Sequence, residues 1–367
     1  MSSRFKGHWQ SILDGDPTAM LEVPFWIWKG MIADLTSLLA DNAEDGEILF
    51  TYKNVVDYLR WCRCVVGSNG IQIQPLVTPI EKASAFTECQ HRLYMSATLA
   101  EDSVIVRDLG CDKKAVLSPL IPKSDRGLGE RMVIAPSLIH HKFDRTWVMR
   151  LSQKLAEKVN VVVLTSSEDQ ALEWEEFGAE VAVGNQVDEM VKRLRAKDSS
   201  TTFAAFPQRY DGVDLPDKAC RVLVIDGLPK GEGIIERFDF EKALFTSGPQ
   251  NKTIFKIEQG LGRPVRSHVD YSVVIFAGPD IAHYIAKRDV QERMNRDTQA
   301  QMILSLKLVE MAINSEEDTQ EELKRRRAAI LDMIMKCLNR NSGWKKFYNK
   351  EVRDKVNLVE VPIDEDV

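Results

Sequence analysis

The residues of this chain best suited to chemistry gather in three short stretches. One is Gln259-Gly260-Leu261-Gly262-Arg263-Pro264-Val265-Arg266. Two arginines three apart on a helix share one face and can aim two guanidiniums into one cleft. A guanidinium stays charged, and its planar fork meets phosphate oxygens with paired hydrogen bonds. Positive charge held against phosphate oxygens is what phosphoryl transfer asks of a protein. An exposed helix end with two solvated arginines accounts for the same residues, so the stretch gains meaning from its company.

That company is Arg209-Tyr210-Asp211-Gly212-Val213-Asp214-Leu215-Pro216 and Tyr94-Met95-Ser96-Ala97-Thr98-Leu99. Gly212 allows a tight turn. The carboxylates of Asp211 and Asp214 can accept bonds from a ribose, from backbone amides or from the arginines. An Asx-turn in a capped loop is the plainer reading of Asp211 alone. In the third stretch the hydroxyls of Ser96 and Thr98 can bond across a cleft, or one of them can cap a short helix before Asp102.

The surrounding patterns say what must position these groups. Short apolar runs predict strands at Met132–Ala135, Val161–Leu164, Glu180–Val183, Thr202–Phe206, Val222–Ile225 and Ser272–Phe276. Amphipathic segments at 142–158, 168–177, 187–196, 234–246 and 252–261 lie between most of them. That alternation means a parallel sheet with right-handed crossovers. Upstream, 53–66 reads as a helix, and Ile71–Gln74 and His91–Met95 read as strands. Of the paired tryptophans in Phe25–Trp28, packing in a core or interface is the expected use. The stretch 110–129, with Pro119, Pro122, Ser124 and Gly127, has a linker's composition and sets a boundary. The expected parts are 1–120, 121–280 and 281–367, the last a pair of long helices and an acidic tail. Its run Lys324–Arg327 reads as a solvated helix face, with a phosphate-contacting face as the alternative.

Bulk composition sets the outer limits. With 367 residues there is room for two domains, and 44% hydrophobic with 28% charged residues is ordinary for a soluble globular chain. A net charge of −6 excludes a generally basic coat, while 49 lysines and arginines leave room for a local basic groove. Six cysteines without framework spacing point to a reducing compartment, so a cytoplasmic protein is expected. Cys62 and Cys64 read as buried thiols on a helix, and no metal site is expected. No membrane span is expected either.

In this order and at these distances, the three stretches resemble motifs III, V and VI of superfamily 2 helicases, most closely the DinG-like DEAD/DEAH-box group. The resemblance covers roughly residues 70–280. It implies a RecA-like second lobe over 121–280, preceded by the closing part of a first lobe and followed by a helical extension. Arg263 and Arg266 would be fingers for the γ-phosphate, and Gln259 would help place that phosphate or the attacking water. Gly262 would let the backbone pass close to its neighbours. Gly212, Asp214 and Asp211 would line the nucleotide, although the family often has a glutamate where Asp211 stands. Ser96, Ala97 and Thr98 would couple hydrolysis to movement along nucleic acid.

Two family parts are missing from the sequence. It holds no G-x-x-x-x-G-K-[ST] phosphate loop, and no Asp-Glu pair closes a strand before residue 96. The expectation is a split helicase or translocase in which a partner subunit holds ATP and Mg2+ on its own phosphate loop and acidic pair. DNA or RNA would be the track. The rival is a non-catalytic subunit that binds nucleic acid or tethers a nuclease, with bacterial antiviral defence as a setting by analogy. A fragment of a longer protein is a third account.

Overall fold

A computed structural model describes residues 3–42, 52–95, 102–118, 120, 129–196, 200–210, 212–229, 231, 233–243, 250–265, 269–313 and 317–357. The chain divides into two compact units, Met1–Lys123 with Gly231–Pro249, and Ser124–Lys230 with Gln250–Val367. The segment Gly231–Pro249 thus groups with unit 1, although the chain on either side of it belongs to unit 2.

Unit 1 holds a three-stranded antiparallel sheet in the order β1 (Met20–Glu22), β2 (Cys62–Gly67), β3 (Gly70–Pro75). The two-residue connection Ser68-Asn69 joins β2 to β3, pairing Gly67 with Gly70 and Cys64 with Ile73. The helix Phe25–Asp41 packs Trp28, Ile32 and Leu35 against Leu59, Cys62 and Cys64. The indole of Trp28 donates to the Leu59 carbonyl at 2.7 Å, which satisfies its one polar atom inside the cluster. On the other sheet face lies the helix Ile234–Ala243. There Asp239 pairs with Arg63 at 2.5 Å, and the Ile235 amide donates to the Gln72 side chain at 2.9 Å.

Two expectations for this unit are corrected. Residues 53–66 do not make one helix: a 3-10 turn, Val56–Trp61, runs straight into β2. The β-branched pair Val65-Val66 favours the pleated chain, and two-residue spacing sends both Cys62 and Cys64 into the core. Burial pushes both thiols up to about 11, so they are packing groups. His91–Met95 forms no strand, and with Leu93 and Met95 exposed it has neither a ladder nor a core to join.

In unit 2 all six expected strands form. They are β4 (Glu130–Ile134), β5 (Val161–Thr165), β6 (Glu180–Val181), β7 (Phe203–Pro207), β8 (Val222–Asp226) and β9 (Tyr271–Ala277). The sheet runs β4-β9-β8-β5-β7-β6 with every neighbour parallel. Parallel strands covered on both faces read as unbroken apolar runs, and β5 and β8 are buried at every position. The C-terminal helices Arg296–Ala312, Gln320–Leu338 and Ser342–Tyr348 pack onto the sheet. Leu304, Leu308, Ile330, Ile334, Trp344 and Tyr348 share one core with the strands. Buried polar groups fix their register: Glu130 accepts from the Trp344 indole at 2.6 Å, and Arg131 donates to Gln301 and Thr298 at 2.5 and 3.1 Å. Each is partnered, as burial of a polar group requires.

Candidate functional site

In parallel sheets functional loops gather at the carboxyl ends of the strands. Here that edge receives the chain leaving β5, β7 and β8. Gln208 follows β7 in a left-handed conformation, φ 57°, with its amide on the Thr165 carbonyl at 2.8 Å and its side chain on the Ser166 carbonyl at 3.2 Å. The loop through Tyr210 and 212–216 then crosses the edge. Gly212 has φ 76°, a region that penalises any side chain, which supplies the reason for a glycine at the turn.

The end of the Gln250–Leu261 helix comes to the same place. Arg263 lies two residues past it, where the Gly262 amide returns to the Glu258 carbonyl at 2.9 Å and the Arg263 amide to the Gly260 carbonyl at 3.0 Å. The expectation of two arginines on one helix face is therefore corrected: the helix has stopped before Arg263, and Pro264 cannot supply the next amide. The Arg263 guanidinium is committed to the loop, with Nε donating to the Tyr210 carbonyl and Nη1 to that of Val213, both at 2.8 Å. The Leu215 amide returns a bond to the Arg263 carbonyl at 3.3 Å.

Gln259 is half-buried on the last helical turn. The glycine that allows close approach is Gly260. A Cβ there would stand 3.2 Å from the Tyr210 ring and 3.3 Å from Leu164. One at Gly262 would meet only carbonyls of its own helix, the nearer at 3.3 Å. Asp214 faces Arg195, whose Nε donates to the Asp214 carbonyl at 3.1 Å and whose guanidinium lies 3.6 Å from the carboxylate. Arg266, Asp211, Ser96, Ala97 and Thr98 lie outside the described residues.

Beneath the loop sits a charged group that the sequence reading missed. Asp226 ends β8 fully buried and accepts from Arg145 Nε and Nη2, each at 2.7 Å, and from the Trp174 indole at 2.7 Å. Arg145 also reaches Glu173 and the Gln170 carbonyl. Burial pushes the Asp226 carboxyl up, and Arg145 opposes it. Tyr210 is buried with a hydroxyl that has no protein partner, and burial raises that phenol too. The signal for Asp226 was a lone carboxylate closing an apolar strand. Its partner, 81 positions away, carries no local signature.

Away from this edge, the Lys324–Arg327 run is divided. Arg326 is buried, and both it and Arg325 bond Glu322. Arg325 holds that carboxyl down at about 2. Lys324 and Arg327 are exposed. Among the described residues one cluster, His140, His141 and Asp318, has metal-ligand types within reach of one another. His140 Nδ1 accepts the Lys142 amide at 3.1 Å, so Nε2 carries the proton towards Asp318 at 2.8 Å. An ion at Nε2 would force that proton onto Nδ1, against an amide donor. No helix among the described residues is long and apolar enough to cross a membrane.

Residues 137–297 match the family of helicase C-terminal domains. Five of the six strands of the parallel sheet, β5 to β9, lie within the matched stretch. Among solved structures, XPD in its apo form is similar with a TM-score of 0.45 and 14% identity, covering 68% of this chain and 58% of that one. An XPD helicase structure gives 0.42 and 13%, covering 74% and 54%. The chain thus spans little more than half the length of either. No curated protein matches it.

Proposed function

We propose that this chain supplies the second lobe and the closing part of the first lobe of an ATP-dependent helicase or translocase, acting on ATP and magnesium held mainly by a partner subunit. Arg266 is the finger that meets the γ-phosphate, and Gln259 orients that phosphate or the attacking water. Asp211, Gly212 and Asp214 line the nucleotide, and Ser96, Ala97 and Thr98 pass its state to a DNA or RNA track. The partner subunit brings the rest of the first lobe, with the phosphate loop and the magnesium carboxylates. One observation carries this reading: the loop 209–216 and the turn after Leu261 are locked together at the carboxyl edge of a helicase-type parallel sheet. The sequence offers no phosphate cradle of its own.

A second reading, a non-catalytic subunit that binds nucleic acid or tethers a nuclease, gains from one fact: Arg263 is already committed to two carbonyls. Steady-state ATP turnover separates the two. The purified chain alone should be silent, and the assembly with a first lobe active. In that assembly Arg266→Ala should lower turnover by about 10³-fold or more while nucleic-acid affinity stays within about twofold. Arg266→Lys should rescue little, because a point charge does not replace the fork. Robust magnesium-dependent turnover by the chain alone, or loss of nucleic-acid affinity with turnover spared, would sink the proposal.

A further inference from the structure

We infer that Arg263 is a positioning residue, a clasp that fixes Tyr210 and the stretch 212–216 onto the end of the Gln250–Leu261 helix. The inference rests on the second-lobe reading above for its functional consequence, and on geometry alone for the clasp itself. Two side-chain donors at 2.8 Å and one backbone bond at 3.3 Å cross between the same two segments. An irregular loop has no ladder to satisfy its carbonyls, so a fixed guanidinium is an effective substitute. These two bonds take up Nε and one Nη1 hydrogen and hold the guanidinium against the loop.

The neighbouring residues fit the clasp. Gly260 has no side chain, which lets the Tyr210 ring lie against the helix. Gly212 turns the loop back with φ 76° so that the carbonyls of Tyr210 and Val213 both meet Arg263. On the far side Arg195 holds the Asp214 carbonyl. The loop and the arginine-bearing turn therefore move as one piece. A shift of either, when nucleotide binds or lobes close, is delivered to the other without a change of internal contacts.

Amide hydrogen exchange on the full chain tests the clasp without requiring any activity. In the unaltered chain the Leu215 amide should be protected. In Arg263→Lys and Arg263→Gln, exchange at Gly212–Leu215 should quicken about tenfold or more, with β5 and β8 unchanged. An unprotected Leu215 amide, or loop exchange indifferent to Arg263, overturns the clasp; the first of these needs no variant to fold. Kinetics of the assembly with a first lobe provide the second arm. Arg263→Lys should raise KM for ATP about tenfold with kcat within about threefold, because the loop that lines the nucleotide has lost its anchor. A fall in kcat at unchanged KM would make Arg263 a finger and overturn the proposal. If the unaltered assembly hydrolyses no ATP, the second-lobe reading fails, and the exchange result still decides the clasp.

Discussion

The two units treat their apolar residues in opposite ways. In unit 2 the strands β4, β5, β8 and β9 are buried almost end to end, with Met132, Val163, Val224 and Ile275 wholly excluded from solvent. In unit 1 the helix Phe25–Asp41 carries apolar residues well beyond the side that it buries. Trp28 is enclosed, while Phe25 is 58%, Trp26 75% and Leu38 60% exposed. The difference separates a unit whose strands are enclosed from one that leaves large apolar side chains at its surface. A first-lobe subunit is the occupant that the proposed function supplies.

The sharpest test of the closed interior is its buried charge. Arg145→Ala leaves the Asp226 carboxylate buried with only the Trp174 indole for a partner, which should cost about 3–5 kcal/mol in chemical denaturation. The sign with pH follows from burial, which raises the folded-state carboxyl above its ordinary 3.8. Stability tied to such a group is fully present below 3.8 and is lost as pH rises through the folded value. The deficit of the variant should therefore narrow in acid and widen towards neutrality. A variant as stable as the parent at pH 7 would break the picture of unit 2 as a tightly paired core.

Next in size is the contact between helix and sheet at the candidate site. Gly260→Ala sets a methyl 3.2 Å from the Tyr210 ring and 3.3 Å from Leu164, both on packed elements. Overpacking of this kind should cost about 1–3 kcal/mol. Gly262→Ala meets only its own helix carbonyls and should cost about 1 kcal/mol or less. Thermal unfolding of the two variants side by side checks the ranking, and a reversal would mean that the helix does not sit against the strands as described.

The same pair shows how much of the molecule was legible beforehand. The six parallel strands of unit 2 could be read because burial on both faces writes an apolar run into each strand, and the crossover helices write their own period between them. Unit 1 was harder. Cys62-Arg63-Cys64-Val65-Val66 is short enough to read as helix or strand, and only pairing with β1 and β3 decides it. At the site, the sequence singled out stretches that meet at the sheet edge but not the contacts within them. Arg263 and Arg266 look equivalent in sequence. What distinguishes Arg263 is that the helix ends at Leu261 and that two carbonyls from 50 and 53 residues away are waiting for it. Likewise, Gly260 and Gly262 differ only through what lies opposite them. Long-range partners leave no local trace.

The smallest expected effect on the fold concerns the open face of unit 1. Trp26 is three-quarters exposed, so Trp26→Ser removes little that the folded chain has buried. Exposed substitutions of this kind usually change stability by no more than about 0.5 kcal/mol. Association is another matter. An exposed tryptophan at the centre of an interface commonly contributes about 2 kcal/mol or more when the partner is bound. That corresponds to roughly thirtyfold in affinity. The expected result is an unchanged unfolding midpoint together with weakened capture of a purified first-lobe subunit, read by titration at fixed salt. Trp28→Ser should behave in the opposite sense, because its indole is enclosed and bonded to Leu59: stability should fall first, and association only as a consequence. If Trp26→Ser instead lowers the unfolding midpoint as far as Trp28→Ser does, both faces of the helix are already covered within the chain. The contrast between a closed unit and an open one would then disappear.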